Sequence, residues 1–136
     1  MFFSMPYLPE VSVNHSHTRN KHTGRPVLKR EAQAWKNVLR QKVAYWIDEH
    51  GIQLEPEQTV IIRLTARFPK RGGQKPDGDN FLKLAQDSIA DAFGVGQRGD
   101  YRFLAQVVSV CHDDPEGELI YEVLINAQET ETTRAA

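Results

Sequence analysis

The chain has 136 residues, 40% of them hydrophobic and 26% charged, which is enough apolar content for one domain with a buried core. Its single cysteine, Cys111, excludes an intramolecular disulfide and a zinc site built from thiolates. No run reaches the roughly 20 apolar residues of a membrane span, and residues 1–5 lack the basic start of a signal peptide. These features predict a soluble, cytoplasmic protein.

Charge is distributed unevenly along the chain, although the net charge is only −1. Residues 1–75 contain 13 lysines and arginines against 6 aspartates and glutamates, a charge of +7. Residues 76–136 contain 4 against 12, a charge of −8. This asymmetry predicts a basic surface beside an acidic site, although a solvated helix face and an acidic tail would explain part of it.

A short strand at Phe2–Met5 is expected to lead into a long polar loop, residues 11–26. Long loops in compact domains are usually functional or disordered. Three histidines in this loop could suggest zinc, but they have neither a thiolate partner nor a fixed helical spacing. Contact with DNA phosphates is the favoured interpretation, and its candidate residues are Asn14, His15, Arg19, Lys21 and Arg25.

An amphipathic helix is predicted between Lys29 and His50, where apolar residues recur at three- and four-residue intervals, and Gly51 is expected to end it. Trp35 and Trp46 lie in the apolar stripe of this helix. They are therefore expected in the core rather than stacked on nucleic-acid bases.

Residues 59–68 predict a β-strand because β-branched side chains are frequent and apolar residues alternate after Ile62. The side chains expected to point inward are Ile62, Leu64, Ala66 and Phe68, while Arg63 and Arg67 point the other way. A basic, glycine-containing loop follows Pro69. Its candidate DNA-binding residues are Lys70, Arg71 and Lys75.

The segment Asp77-Gly78-Asp79-Asn80, here called the acidic motif, places two carboxylates two positions apart at the start of a helical pattern. Apolar residues beyond it are expected to pack one face of that helix. Lys83 and Asp87 are expected to share another face with Asp79 because they follow it at four-residue spacing. The helix is expected to stop at Gly94.

The rest of the chain predicts a glycine-rich loop and two strands. Residues 94–99 match the letters of a dinucleotide-binding fingerprint, but they follow a helix rather than a strand, so no nucleotide cofactor is expected. Residues 101–112 and 119–126 read as strands of a hairpin joined by the polar turn 113–117. Cys111 is expected in the core of this hairpin.

This order of elements predicts an α+β fold, with a small mixed β-sheet packed against helices. One domain is expected to span residues 1–128. Residues 129–136 are expected to form a polar C-terminal tail.

Three interpretations of the acidic motif compete with a metal site. Asp79 or Asn80 could cap a helix while Asp77 forms a turn. An EF-hand would need an oxygen ligand and a glycine where Phe81 and Leu82 stand, so that interpretation fails. A phosphatase-type Asp-x-Asp normally follows an apolar strand, whereas this motif follows a polar loop. Capping contributes, but it leaves the second carboxylate unexplained.

A hard-cation site is the remaining interpretation, because clustered carboxylates repel one another unless they are neutralised. Mg²⁺ is typically bound by a few carboxylates together with water and phosphate oxygens. Such a site suits phosphodiester cleavage, by one ion or by two ions about 3.5–4 Å apart. Lys83 could then offset negative charge that develops on the phosphate.

With these residues in place, the chain resembles the RusA-type Holliday junction resolvases, small Mg²⁺-dependent endonucleases also called crossover junction endodeoxyribonucleases. The resemblance spans most of the chain. It is centred on Asp-x-Asp-Asn with a lysine four residues after the second aspartate, and it continues in Ser12–His15 and in Gly99–Phe103. Two departures are Pro76, where the family often has a basic residue, and a lengthened loop before Asp100.

The resemblance implies a role for each matching residue. Asp77, Asp79 and Asp100 would bind Mg²⁺, with Mn²⁺ as an alternative ion, and Lys83 would be the catalytic lysine. Asp87 and Asn80 would assist these residues without binding the metal themselves. Asp87 would do so by orienting Lys83. The family also implies a homodimer that resolves four-way DNA junctions by paired symmetric nicks, since two nicks require two sites related by a two-fold axis.

Two other functions remain open at this point. One is a DNA-binding module of the same fold that does not cut. The other is a nuclease for other branched or flapped DNA. Mg²⁺ dependence and comparison of DNA substrates would distinguish them from a junction resolvase.

Overall fold

Six β-strands, two α-helices and two 3-10 helices lie in residues 1–70, 76–95 and 102–127, the parts of the chain that the computed structural model describes. The 3-10 helices are Pro9–Val11 and Gly78–Phe81, and the α-helices are α1 (Arg30–His50) and α2 (Lys83–Ala92). The strands are β1 (Phe2–Pro6), β2 (His17–Arg19), β3 (Pro26–Leu28), β4 (Gln58–Pro69), β5 (Phe103–Asp114) and β6 (Glu118–Ala127).

The main sheet has four strands in the order β1-β6-β4-β5. β6 is antiparallel to both β1 and β4, whereas β5 is parallel to β4, so the sheet is mixed. The parallel pair requires a crossover, which the acidic motif and α2 provide. The predicted α+β fold with a small mixed sheet and helices is confirmed.

The central strand β4 separates the two faces of this sheet. Its predicted inward residues Ile62, Leu64, Ala66 and Phe68 are all fully buried, and Arg63 and Arg67 are exposed on the other face. This alternation follows from the two-residue period of a strand. The buried face therefore forms the core beneath the helices.

The helix α1 covers the buried face and begins and ends close to the predicted positions. Gly51 adopts the left-handed conformation (φ 58°) at its C-terminus, as predicted. Trp35 is buried against Tyr121, with ring centroids 5.9 Å apart, and its Nε1 donates a hydrogen bond to the Pro6 carbonyl. Trp46 packs partly buried against the same core, so both tryptophans are core residues.

The predicted hairpin of the last two strands is wrong, because β5 and β6 lie on opposite sides of β4. The turn between them crosses the end of β4, where Pro69 is paired with Asp114. Gly117 in that turn has φ 87°, and a Cβ atom there would lie 2.8 Å from Cδ of Pro69. A polar turn of this length can therefore span a third strand when that strand ends beneath it.

The prediction that Cys111 lies in the core is also wrong, since its side chain is exposed. Strand alternation from the buried Phe103 would place Cys111 inward. However, Leu64 pairs with Val107 and Thr65 pairs with Ser109, so Val108 forms a bulge in β5. The extra residue reverses the alternation beyond it.

The predicted long loop contains a small second sheet, in which β2 pairs antiparallel with β3. The turn of this hairpin is closed by the Asn20 side chain, which accepts hydrogen bonds from the backbone N–H groups of His22 and Thr23. Strands of only three residues are too short to give a periodic signal, which is why the sequence predicts a loop here.

No α-helix in the three described ranges is both long enough and apolar enough to cross a membrane.

Candidate metal and nucleic-acid site

The acidic motif forms a 3-10 helix, Gly78–Phe81, that begins after Asp77. The Oδ1 atom of Asp77 accepts a hydrogen bond from the backbone N–H of Asp79 at 3.2 Å, and the Asp77 carbonyl accepts one from Asn80 N–H at 3.1 Å. Asp77 therefore makes the turn, as one of the sequence interpretations predicts, but Asp77 is also the residue that caps this helix, a role expected of Asp79 or Asn80.

This capping hydrogen bond involves only one of the two carboxylates of the motif. Asp77 and Asp79 are both exposed to solvent. Within the described ranges the Asp79 carboxylate has neither an ion pair nor a hydrogen bond. A structural role thus accounts for one carboxylate and leaves the other available to a ligand.

Gly78 holds the acidic motif against the edge strand of the sheet. It is buried, and a Cβ atom at this position would lie 3.1 Å from side-chain methyl groups of both Val107 and Val110. Such contacts are tighter than ordinary van der Waals distance, so glycine permits the close approach. The backbone that carries the two carboxylates therefore packs directly against β5.

Phe81 anchors the other end of the motif in the core. Its ring is buried and lies 5.2 Å from the Phe68 ring and 5.6 Å from the Tyr7 ring, measured between centroids. Its carbonyl accepts a hydrogen bond of 2.7 Å from the buried hydroxyl of Tyr121. Burial raises the pKa of Tyr121 far above its ordinary value, so this hydroxyl keeps its proton and remains a donor.

The helix α2 begins only at Lys83, beyond the 3-10 helix. The expectation that Asp79 shares an α-helical face with Lys83 and Asp87 is therefore wrong, because residues in a 3-10 helix follow a period of about three. Lys83 and Asp87 do lie on one face of α2, and Lys83 Nζ contacts Asp87 Oδ1 at 3.0 Å. This ion pair orients the Lys83 ammonium group along α2.

Residues 12–15 form a second wall opposite the acidic motif. The backbone N–H of Val13 donates a hydrogen bond of 2.8 Å to the Asn80 carbonyl, which joins the two segments. Between them lies a cavity of about 240 Å³, lined by Tyr7, Pro9, Ser12, Asn14, His15, Pro76, Asp77, Asn80 and Phe81. Asn14 and His15, predicted to contact DNA, therefore lie beside Asp77. The sequence alone does not reveal this cavity, because its walls are more than 60 residues apart in the chain.

The remaining predicted DNA-binding residues lie on two separate elements. Arg19, Lys21 and Arg25 are exposed on the β2–β3 hairpin, and Lys70 is exposed directly after β4. None of these four forms an ion pair with another described residue. Arg71, Lys75 and Asp100 lie outside the described residues, as does the tail at 129–136.

Across residues 1–70, 76–95 and 102–127, no three or more histidines, cysteines, aspartates or glutamates lie together in a way that could hold a metal ion. His15, His17 and His22 are all included, so the hairpin region contains no three-histidine site. Asp77 and Asp79 provide two exposed carboxylates, and Mg²⁺ is commonly held by one or two carboxylates plus water and substrate phosphates. These residues therefore fit a hard cation.

No protein-family model matches the chain, and no curated protein matches it.

Proposed function

We propose that the chain is a Mg²⁺-dependent endodeoxyribonuclease that acts on branched DNA and resolves four-way junctions by paired nicks. The observation that carries this proposal is the pair of exposed carboxylates, Asp77 and Asp79, on a turn fixed to both β5 and the core. A fixed turn keeps the ligand geometry when substrate binds, as catalysis of phosphate chemistry requires.

Asp77 and Asp79 would hold the cation from the acidic side of the site. The ion would polarise a DNA phosphate and lower the pKa of a bound water. Asn80 supports the pair because its backbone N–H hydrogen bonds to the Asp77 carbonyl and closes the turn. Mutual repulsion of the two carboxylates favours their occupancy by a cation.

Lys83 would neutralise charge that develops on the phosphate during cleavage. It lies two residues after the 3-10 helix, and its ammonium group contacts Asp87. The Lys83 side chain is more than half exposed (57%), so a phosphate could reach it from solvent. Asp87 would act as a positioning residue that limits the rotamers of Lys83.

Asp100 is proposed as the third carboxylate. The Gln86 side chain, on α2 beside Lys83, donates a hydrogen bond of 2.9 Å to the carbonyl of Phe103, the first residue of β5. Asp100 precedes Phe103 by three positions, a span of at most about 10 Å. The start of β5 therefore lies within reach of the side of α2 that carries Lys83.

The DNA backbone would be bound by the exposed cations of the N-terminal half. Residues 1–75 carry a charge of +7, and Arg19, Lys21 and Arg25 project from one hairpin. Lys70 follows β4 on the chain, leading towards the acidic motif, and Arg71 and Lys75 are proposed to extend this surface. Such a basic surface would attract the DNA phosphate backbone, while the metal would contact a single phosphate.

A homodimer is part of the proposal, because a four-way junction has two strands to cut in symmetric positions. A two-fold axis relates two identical sites in the simplest way. The dimer and the junction substrate both derive from the resemblance to RusA-type resolvases.

The test uses purified protein and a synthetic four-way junction, with linear duplex of the same sequence as the matched substrate. We expect paired nicks in the junction with Mg²⁺ or Mn²⁺, no nicks with a chelator, and little cutting of the duplex. Cleavage of flapped DNA in preference to junctions would instead identify a nuclease for other branches. Binding without cutting, indifferent to Mg²⁺, would identify a non-cleaving module.

A further inference from the structure

We propose that the cavity of about 240 Å³ beside the acidic motif binds one unstacked base of the DNA strand that is cut. This inference rests on the proposed action on DNA. It adds a binding site for a nucleobase, with Asn14 and Asn80 as the residues that contact its edge.

The cavity is held open by direct links between its two walls. One wall is the 3-10 helix of the acidic motif, and the other is the segment 12–15, joined to it by the hydrogen bond from Val13 N–H to the Asn80 carbonyl. The Ser12 hydroxyl accepts a hydrogen bond from Asn14 N–H, which fixes the turn that carries Asn14 and His15. The cavity is therefore preformed, as binding sites for small ligands usually are.

Aromatic rings form the apolar part of the cavity. Tyr7 and Phe81 both line it, and their ring centroids lie 5.6 Å apart. Phe81 is fixed from behind by Phe68 and by the hydrogen bond from Tyr121 to its carbonyl. Phe81 is buried, so the partly buried ring of Tyr7 supplies the apolar surface for a base, and every base offers a face that can pack on such a ring.

Amide side chains form the polar part. In the described ranges, the side chains of Asn14 and Asn80 have no hydrogen-bond partner, and both line the cavity. An amide presents a donor and an acceptor together, which matches the edges of bases. A cavity with only hydroxyls or only charges would favour a sugar or a phosphate instead.

The size of the cavity limits the ligand to a small planar group. Sites that enclose drug-sized ligands usually measure about 300–1,000 Å³. At about 240 Å³ this cavity is smaller than that range, so a single ring system fits better than a dinucleotide.

The cavity also lies next to the carboxylates that are proposed to hold the cation. Asp77 both lines it and belongs to the carboxylate pair of the acidic motif. A base in the cavity would therefore place a neighbouring phosphate of the same strand at the carboxylates. Bases at a branch point cost least to unstack, so branched DNA can supply such a base more readily than a continuous duplex.

The experiment measures binding of four-way junctions in which one base at a time, around the branch point, is replaced by an abasic site. It is carried out without metal, so that cleavage does not contribute. For the wild-type protein we expect one position at which base removal weakens binding about tenfold. For the double variant Asn14→Ala/Asn80→Ala that loss should fall to less than about twofold, because the partner amides are already absent.

The matched control is Asn126→Ala, an exposed asparagine at the opposite end of the main sheet, where it pairs with Thr59. It should retain the tenfold loss at the same position. The base-binding proposal is overturned if no position shows the loss, if the double variant shows it undiminished, or if junctions do not bind. Mg²⁺-dependent nicking is measured in parallel, so cleavage without base dependence would leave the proposed function standing and remove only the base site.

Discussion

The hydroxyl of Tyr121, at the centre of the main sheet, donates a hydrogen bond of 2.7 Å to the carbonyl of Phe81, the last residue of the 3-10 helix in the acidic motif region. A buried donor in β6 thereby holds the backbone that carries Asp77 and Asp79. The position of the acidic motif and the stability of the core therefore depend on the same hydrogen bond.

Removal of the Tyr121 hydroxyl is expected to destabilise the fold. Tyr121→Phe leaves the Phe81 carbonyl without its described donor, and an unsatisfied buried group costs about 1–3 kcal/mol. Unfolding in urea should show this loss of free energy. Tyr45→Phe, at a tyrosine that is 68% exposed, should behave like wild type. Equal stability of Tyr121→Phe and wild type would contradict the anchoring role.

The same tyrosine predicts a loss of stability at high pH. Burial raises the pKa of Tyr121 in the folded state above the value of about 10 that it has when unfolded. Above that pH the unfolded chain loses a proton that the folded chain keeps, so unfolding becomes more favourable as pH rises, by up to about 1.4 kcal/mol per pH unit. Urea unfolding between pH about 9 and 11 should show a smaller decrease for Tyr121→Phe than for wild type.

Gly78→Ala is expected to push the acidic motif away from β5. The added Cβ would lie 3.1 Å from Cγ1 of Val107 and from Cγ2 of Val110, and overpacking of this kind typically costs about 1–3 kcal/mol. Val107→Ala should relieve part of this cost, so the double variant should be less destabilised than the sum of the two single variants. Additive effects in thermal or urea unfolding would show that the predicted contact does not exist.

Lys83→Ala is expected to reduce nicking with little effect on stability. Its ion pair with Asp87 is a solvent-exposed pair within one helix, worth at most about 0.5 kcal/mol. Loss of a group that stabilises transition-state charge costs about 10²–10³ in rate. Lys36→Ala, which removes an ion pair of 3.1 Å with Asp91, is the matched control and should cut normally. Equal rates for the two variants would exclude a catalytic lysine at position 83.

DNA binding is expected to weaken steeply with salt if the hairpin cations contact phosphates. Arg25→Ala should lower the slope of log affinity against log salt by about one. Arg40→Ala, which removes an exposed charge from α1, should leave the slope unchanged. The same slope for Arg25→Ala as for wild type would mean that this hairpin residue does not contact the DNA backbone.

The sequence predicts the elements of the fold better than their arrangement. The alternation in β4 identifies its buried residues because a half-buried strand repeats every two positions. The positions of β5 and β6 relative to β4 leave no such signal, since the turn at 113–117 has the composition of a hairpin turn whether or not a third strand ends beneath it. The bulge at Val108 similarly has no mark in the sequence, and it alone reverses the expected side of Cys111.

The candidate site was predictable to the extent that it is local in the chain. The acidic motif and the spacing of Lys83 from Asp87 are read directly from neighbouring residues. The cavity is different, because Asn14 and Asn80 meet only through the folded backbone, by way of the Val13–Asn80 hydrogen bond. The strands of the hairpin that displays Arg19 and Arg25 have only three residues each, which is too short to predict.

The most direct test of the central claim is the single-turnover rate at which Asp79→Asn nicks a four-way junction in Mg²⁺. Asp91→Asn is the matched control, since Asp91 is an exposed aspartate on α2 away from the acidic motif. We predict paired nicks by wild type and Asp91→Asn, and a rate at least about 100-fold lower for Asp79→Asn, because the carboxylate without a described partner would hold the cation. Undiminished nicking by Asp79→Asn, or no nicking by the wild-type protein, would contradict the proposal.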